Sequence, residues 1–201
     1  MPVDDVVAVL RAGGTVVLPT DTVCGLAALP TDNRAMARLH ALKGRSSDQP
    51  VAVLVADADQ AAALLADPGP DAERWMATLW PGPLTIVARR AEAARGFALG
   101  GDPDTIGVRC PDDDAIRAIA SQVGPLAATS ANRHGEPTPE RAVEAAAALL
   151  GAVDLVVDVG VAGTVASTVV DVTVEPWVVR RVGAVSELAL RASSGKGGNP
   201  C

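Results

Sequence analysis

The 201-residue sequence predicts a single α/β domain built on a mixed sheet covered by helices. Three observations carry that expectation. Short Val- and Leu-rich runs alternate with segments of helical periodicity along the whole chain. Hydrophobic residues make up 49% and charged residues 20%, a globular balance rather than a disordered one. No internal repeat and no linker divides the chain, so one unit of ordinary domain size is expected.

The elements follow in order. Apolar residues at helical spacing place a helix over residues 3–12, stopped by Gly13 and Gly14. The β-branched run 15–18 is a strand closed by Pro19. Residues 33–42 form a helix with Asp32 as N-cap, since a carboxylate there accepts from the first free backbone N–H groups. A buried strand spans 51–55, and helices span 57–65 and 71–79. Trp80-Pro81-Gly82-Pro83 is a turn leading into a strand at 84–88. A strand at 105–109 ends before Pro111. Helix 112–121 opens on three aspartates, where the helix dipole favours negative charge. A short strand at 126–128 precedes a helix at 139–150 with Pro139 at its first position. Three Val-Val strands close the domain at 155–158, 168–171 and 177–180. The domain covers 1–190, and 191–201 is a flexible tail because Gly and Ser dominate it from Ser193 onward.

Composition excludes several function classes. Aromatics are 2% with no Tyr, too few for base-stacking platforms. A net charge of −7 is wrong for a protein that binds polyanions over its whole surface, so any polyanion must sit in a local basic pocket. Cys24, Cys110 and Cys201 are isolated, without metal-ligand spacing or a disulfide framework, which fits a reducing cytoplasm. No secretory leader and no membrane-length apolar run are read in the sequence. Walker A, GxGxxG and HExxH motifs are lacking, so any ATP site is of an uncommon kind.

Several short polar segments stand where strands should end. Leu18-Pro-Thr-Asp-Thr-Val-Cys-Gly-Leu26 offers hydroxyls and a carboxylate, although an ordinary turn would use the same residues. Lys43-Gly-Arg45 is a compact cationic corner suited to a triphosphate, or else a solvated helix end. Arg109 ends a strand, where open α/β sheets bind ligands. Residues 127–135 combine small residues with Ser130 and Asn132, and His134 reads as solvated. Ser167-Thr-Val-Val-Asp171 and Arg180-Arg-Val-Gly183 complete the set.

In order, these blocks resemble the YrdC family of L-threonylcarbamoyladenylate synthases. PTDTVCGL, LKGR, WPGPLT at Trp80–Thr85, TIGVRCP, TSAN followed by Gly135, STVVD and RVGAV each match a family block, over about nine-tenths of the chain. The resemblance implies a twisted mixed sheet around a concave, positively charged cavity. It implies a nucleotidyltransferase reaction in which L-threonine, bicarbonate and ATP give threonylcarbamoyl-AMP and pyrophosphate. The product would serve threonylcarbamoyl modification of tRNA adenosine 37, with partner proteins making the transfer and with tRNA or double-stranded RNA contact. Carried over residue by residue, Lys43 and Arg45 hold the phosphates and act in catalysis. Gln49, Thr105, Ser130, Asn132, Thr138 and Arg181 contact ATP. Thr22, Arg109, Ala128 and Ser167 surround threonine, with Thr20 and Asp21 shaping the same wall. The implied cofactor is Mg²⁺ held mainly by ATP phosphates, with no metal ligand from the protein. The length fits the short single-domain form. Cys24 replaces the usual Tyr, Ser46 the usual Pro, Gln49 a common Asn, and Leu54 a His of some members. Related domains also make carbamoyl adenylate, and a non-catalytic RNA-binding paralogue is a third reading, disfavoured by the acidic net charge.

Overall fold

In the computed structural model, residues 1–194 are described. The chain order is α1 (Val3–Arg11), β1 (Val16–Leu18), β2 (Gly25–Ala28), α2 (Asn33–Lys43), β3 (Ala52–Leu54), α3 (Ala58–Ala62), β4 (Leu65–Ala66), α4 (Gly69–Leu79) and β5 (Leu84–Arg90). It continues with β6 (Thr105–Arg109), α5 (Asp114–Val123), β7 (Leu126–Ser130), α6 (Ala142–Ala148), β8 (Leu155–Val156), β9 (Thr168–Asp171), β10 (Val178–Arg181) and α7 (Glu187–Ser193). The strands form one mixed sheet in the order β10-β9-β5-β6-β3-β7-β2-β1-β8, with β4 paired to β5. Pairs β1/β8, β3/β6 and β5/β9 are parallel, and the rest are antiparallel.

Side-chain alternation splits the sheet into two unlike faces. One face carries Leu84, Ile86, Ala88, Ile106, Val108, Ala127 and Val170 into the main core, with Met36 and Leu39 of α2 and Trp75 of α4. The other is covered at one end only. There Val6 and Leu10 of α1 and Ile116 and Ile119 of α5 pack on Val16, Leu18, Leu54 and Leu126. Beyond that cover the same face is open, and this is where the cleft lies.

Asp32 caps α2 as the sequence predicts, accepting from the N–H groups of Arg34 at 2.9 Å and Ala35 at 3.0 Å. Elsewhere the structure departs from the sequence reading. The helix expected over 57–65 is the short α3, and Leu65 instead starts β4, pairing with Arg90. The helix expected over 139–150 shrinks to α6, so Pro139 stays in the loop before it. Gly25 and Leu26, read as the end of a polar segment, and Ala27 and Ala28, given no element, form β2, because Gly25–Ala28 pairs on both sides with β1 and β7. The last strand is shifted by one residue, to Val178–Arg181.

Helix α7 was not expected, and it carries ordered structure through residue 193, past the predicted boundary at 190. It is seated on a pair of tryptophans, Trp75 and Trp177. Trp75 Nε1 donates to the Leu190 carbonyl at 3.1 Å. Trp177 meets the Trp75 ring edge-on at 5.2 Å. The Arg191 guanidinium lies 4.9 Å over the Trp177 ring, a cation–π contact. The remainder of the predicted tail, 195–201, lies outside the described residues. If α7 belongs to the fold, Leu190→Ala destabilises by about 2–5 kcal/mol. Leu188→Ala, at a side chain 78% exposed, stays within about 0.5 kcal/mol. Urea unfolding measures both, and equal effects would contradict the seating of α7.

Candidate active site

The open half of the sheet floors a cleft of about 1050 Å³. Alternate residues of β5 and β9 face it. Thr105, Gly107 and Arg109 of β6 line the cleft, Ile106 packs in the core but also reaches the cleft, and Val108 enters the core. Thr85 and Val87 of β5, and Val169 and Asp171 of β9, follow the same rule. Ala52 of β3 and Ala128 of β7 pair directly and keep the middle of the floor shallow.

Lys43 is the last residue of α2 and is only 3% exposed. Gly44 then takes the left-handed conformation (φ 64°), which ends the helix and turns the chain toward Arg45. A side chain at Gly44 would also strike Leu150 Cδ1, at 2.6 Å from the new Cβ. Lys43 Nζ donates to the Ser130 carbonyl, to Asn132 Oδ1 at 3.0 Å and, more weakly, to Ser130 Oγ at 3.4 Å. All three acceptors are neutral. Burial, and then the charge of Arg45, lowers the Lys43 pKa to about 8. The Nε and Nη2 atoms of Arg45 are buried with no hydrogen-bond partner. Among the described residues no ion pair involves Lys43, Arg45 or Arg181. Buried cations without carboxylates are costly unless an anion completes them.

A second pole lies across the floor. Arg109 donates to Thr22 Oγ1 at 2.7 Å, to the Gly82 carbonyl at 3.1 Å, and to Asp21, with which it forms an ion pair. Thr20 builds the turn that supplies these partners: its hydroxyl accepts from the N–H groups of Thr22 and Val23 at 3.1 and 3.2 Å. Arg181 donates from Nε to the Ser167 carbonyl and from Nη2 to Ser167 Oγ, at 3.1 and 3.0 Å. Ser167 Oγ in turn shares a 2.9 Å hydrogen bond with Thr85 Oγ1. Partial desolvation, and then the charge of Arg109, lowers the pKa of Arg181.

Every predicted site residue lines this one cleft: Thr20, Thr22, Lys43, Arg45, Gln49, Thr105, Arg109, Ala128, Ser130, Asn132, Thr138, Ser167 and Arg181. The exception is Asp21, which stands behind the wall as the partner of Arg109. Arg181, assigned to the nucleotide by resemblance, donates to Ser167, which the resemblance assigns to threonine. Asn132 is committed to the protein: its amide nitrogen donates to the carbonyls of Arg133 and Glu136 while its oxygen holds Lys43. Cys24 is fully buried in the core, its Sγ against the Glu140 carbonyl at 3.3 Å, and burial pushes its pKa up. It is therefore a protonated, inaccessible thiol. Thr85, Asp171 and Arg180 also line the cleft; they lie in segments the sequence singled out but were given no role there, and Arg90 was not picked out. Period-two alternation in β5 and β9 was the signal for Thr85 and Asp171.

Residues 8–183 match the model of the Sua5/YciO/YrdC family, described as telomere recombination. The chain belongs to the Sua5/YciO/YrdC family. It is 36% identical over 178 residues to a threonylcarbamoyl-AMP synthase of Pyrococcus abyssi, covering 88% of this chain and 52% of that protein. It is 33% identical over 190 residues to the threonylcarbamoyl-AMP synthase of Bacillus subtilis, covering 94% and 55%. The crystal structure of P. abyssi Sua5 complexed with L-threonine superposes with a TM-score of 0.86 at 32% identity, covering 96% of this chain and 57% of that one. The chain thus spans about half the length of the relatives it matches here.

The Lys43 environment sets a pH dependence. A lysine whose pKa is depressed to about 8 loses its proton as pH rises above that value, and a bound polyanion raises the pKa again. Affinity for ATP, used as a polyphosphate probe, therefore falls by roughly tenfold per pH unit above that point, where its phosphates are already ionised. Lys43→Arg keeps its charge and removes the slope. Calorimetric titrations between pH 8 and 10 measure this, and an equal slope in both proteins would contradict the assignment.

Proposed function

We propose that this chain is the threonylcarbamoyl-AMP synthase unit of its family, converting L-threonine, bicarbonate and ATP to threonylcarbamoyl-AMP and pyrophosphate. The observation that carries the reading is the pair of cations, buried Lys43 and half-buried Arg45, held at one end of the cleft without a carboxylate partner among the described residues. They are suited to the ATP phosphates. The Arg109, Arg181, Thr22 and Ser167 pole is suited to an amino acid bearing a carboxylate and a hydroxyl. The names of the relatives agree with both halves.

The chemistry needs this division. The threonine amine adds to CO₂ with release of a proton, or to bicarbonate with loss of water, to give a carbamate, and a carbamate oxygen then attacks the α-phosphorus with pyrophosphate as leaving group. Both partners in the second step are anionic, so the site must neutralise charge and align them rather than supply a strong base. Lys43 and Arg45 neutralise the phosphates. Arg109 is fixed by Asp21 and Gly82, which leaves part of its fork for the threonine carboxylate. Among the described residues no group of three His, Cys, Asp or Glu side chains could hold a metal ion. Mg²⁺ in this reading arrives with ATP, bound by phosphates and water. The adenylate formed would be passed to partner proteins acting on tRNA, in the cytoplasm. No helix among the described residues is long and apolar enough to cross a membrane.

Threonine-dependent pyrophosphate release tests the proposal. Lys43→Ala and Arg45→Ala each lower activity by about 10²-fold. Arg109→Lys raises the threonine KM while leaving the ATP KM nearly unchanged, because a point charge cannot replace the planar fork. Serine is a poorer substrate than threonine, and 2-aminobutyrate poorer still, since it leaves the site's hydroxyl partners unpaired. Equal ATP turnover without any amino acid would transfer the reading to carbamoyl adenylate.

A further inference from the structure

We infer that Arg90 is a positioning residue for the nucleotide half of the cleft: its guanidinium latches the connection 91–104 between β5 and β6, and that connection holds the segment 46–51, which follows Arg45 and carries Gln49. The inference rests on the reading of the cleft as an ATP site.

Arg90 is the last residue of β5 and is 7% exposed, yet it lines the cleft. Among the described residues it makes no ion pair. Its donors go to backbone carbonyls instead. Nε donates to the Thr105 carbonyl at 2.6 Å and Nη1 to the Phe97 carbonyl at 3.0 Å. Its own N–H donates to the Asp104 carbonyl at 2.8 Å. One side chain thus grips the connection at Phe97 and again at Thr105, where β6 begins. Reaching two carbonyls at once takes the guanidinium fork, with its several fixed donors. Carbonyl partners also leave the Arg90 charge uncancelled, whereas Asp21 neutralises Arg109.

The latched connection reaches the phosphate corner through backbone contacts. The Val51 N–H donates to the Leu99 carbonyl at 2.8 Å, and the Gly101 N–H to the Asp48 carbonyl at 2.7 Å. Gly100 sits between them in the left-handed conformation (φ 68°). A Cβ there would stand 2.4 Å from the Ser47 carbonyl oxygen and 2.7 Å from that of Gln49, so only glycine lets the two segments lie this close. Residues 46–51 have no helix or strand of their own. Their course is set by what they pack on, and Gln49 lines the cleft from within them. Thr105 and Gln49, both given to ATP by resemblance, are therefore held by one device. A wall ordered before the ligand arrives lowers the ordering cost of binding.

Calorimetric titration with ATP and, separately, with threonine compares wild type, Arg90→Met, Arg90→Lys and Gly100→Ala. Melting temperatures confirm folding. Arg90→Met, of similar reach but without donors, weakens ATP binding about tenfold, the scale of a hydrogen bond to a charged group, and leaves threonine binding unchanged. Arg90→Lys keeps the charge and one carbonyl contact, and recovers part of the loss. Gly100→Ala parts the same two segments with Arg90 intact and gives the same selective loss, an independent readout of the junction should Arg90→Met not fold. In the double variant Arg90→Met/Gly100→Ala the losses do not add, because both break one junction. Wild-type ATP affinity in Arg90→Met or Gly100→Ala, full affinity in Arg90→Lys, additive losses in the double variant, or an equal loss of threonine affinity overturns the inference. A wild type that fails to bind ATP at all overturns the ATP reading itself.

Discussion

The structure turns on one unfavourable arrangement: the Lys43 ammonium is buried among neutral oxygens with no carboxylate in reach. Its partners are the Ser130 carbonyl and hydroxyl and the Asn132 amide oxygen. Desolvating a charge against neutral dipoles alone destabilises the folded chain, and the depressed pKa of about 8 is the same fact seen as a titration. Much of the local fold exists to hold that ammonium. Helix α2 delivers Lys43, Gly44 turns the chain so that Arg45 follows, and Asn132 is pinned by the Arg133 and Glu136 carbonyls. An anion that enters this corner recovers what folding has given up. Affinity and protonation are therefore linked there.

The opposite pole is built on the contrary principle. Arg109 is neutralised in place by Asp21 and clamped by Thr22 and Gly82, so it offers geometry more than net charge. Arg181 has hydroxyl and carbonyl partners and no ion pair among the described residues. One end of the cleft thus suits a highly charged ligand and the other a small, singly charged carboxylate with a hydroxyl. The shallow floor between them comes from Ala52, Gly107 and Ala128, side chains small enough to let both ligands lie against the sheet.

The fold was largely legible because its two-faced sheet writes itself as alternation. In Thr105-Ile-Gly-Val-Arg109 the odd positions face the cleft while Ile106 and Val108 pack in the core, Ile106 also reaching the cleft, and the strand lies where the sequence places it. Segments without such a pattern were missed. Gly25–Ala28 is small and uniformly buried, so it gives no period, and its pairing with β1 and β7 makes it a strand. Helix α7 is short and depends on Trp75 and Trp177, residues distant in sequence. Pro139 looked like a helix start, yet α6 begins only at Ala142, and residues 137 and 138 line the cleft. At the site, residue types and order brought the two poles into view. What sequence could not show was pairing: that Asp21 would engage Arg109 and that Asn132 would hold Lys43.

The account's central claim is that one cleft joins a polyphosphate, held at Lys43 and Arg45, to an amino acid held at Arg109 and Ser167. Mass spectrometry of the product formed from ATP, threonine and carbon-13-labelled bicarbonate tests it most directly. The account predicts an adenylate that contains threonine and one labelled carbon, formed together with pyrophosphate. A labelled adenylate lacking threonine, or no adenylate at all, would contradict it.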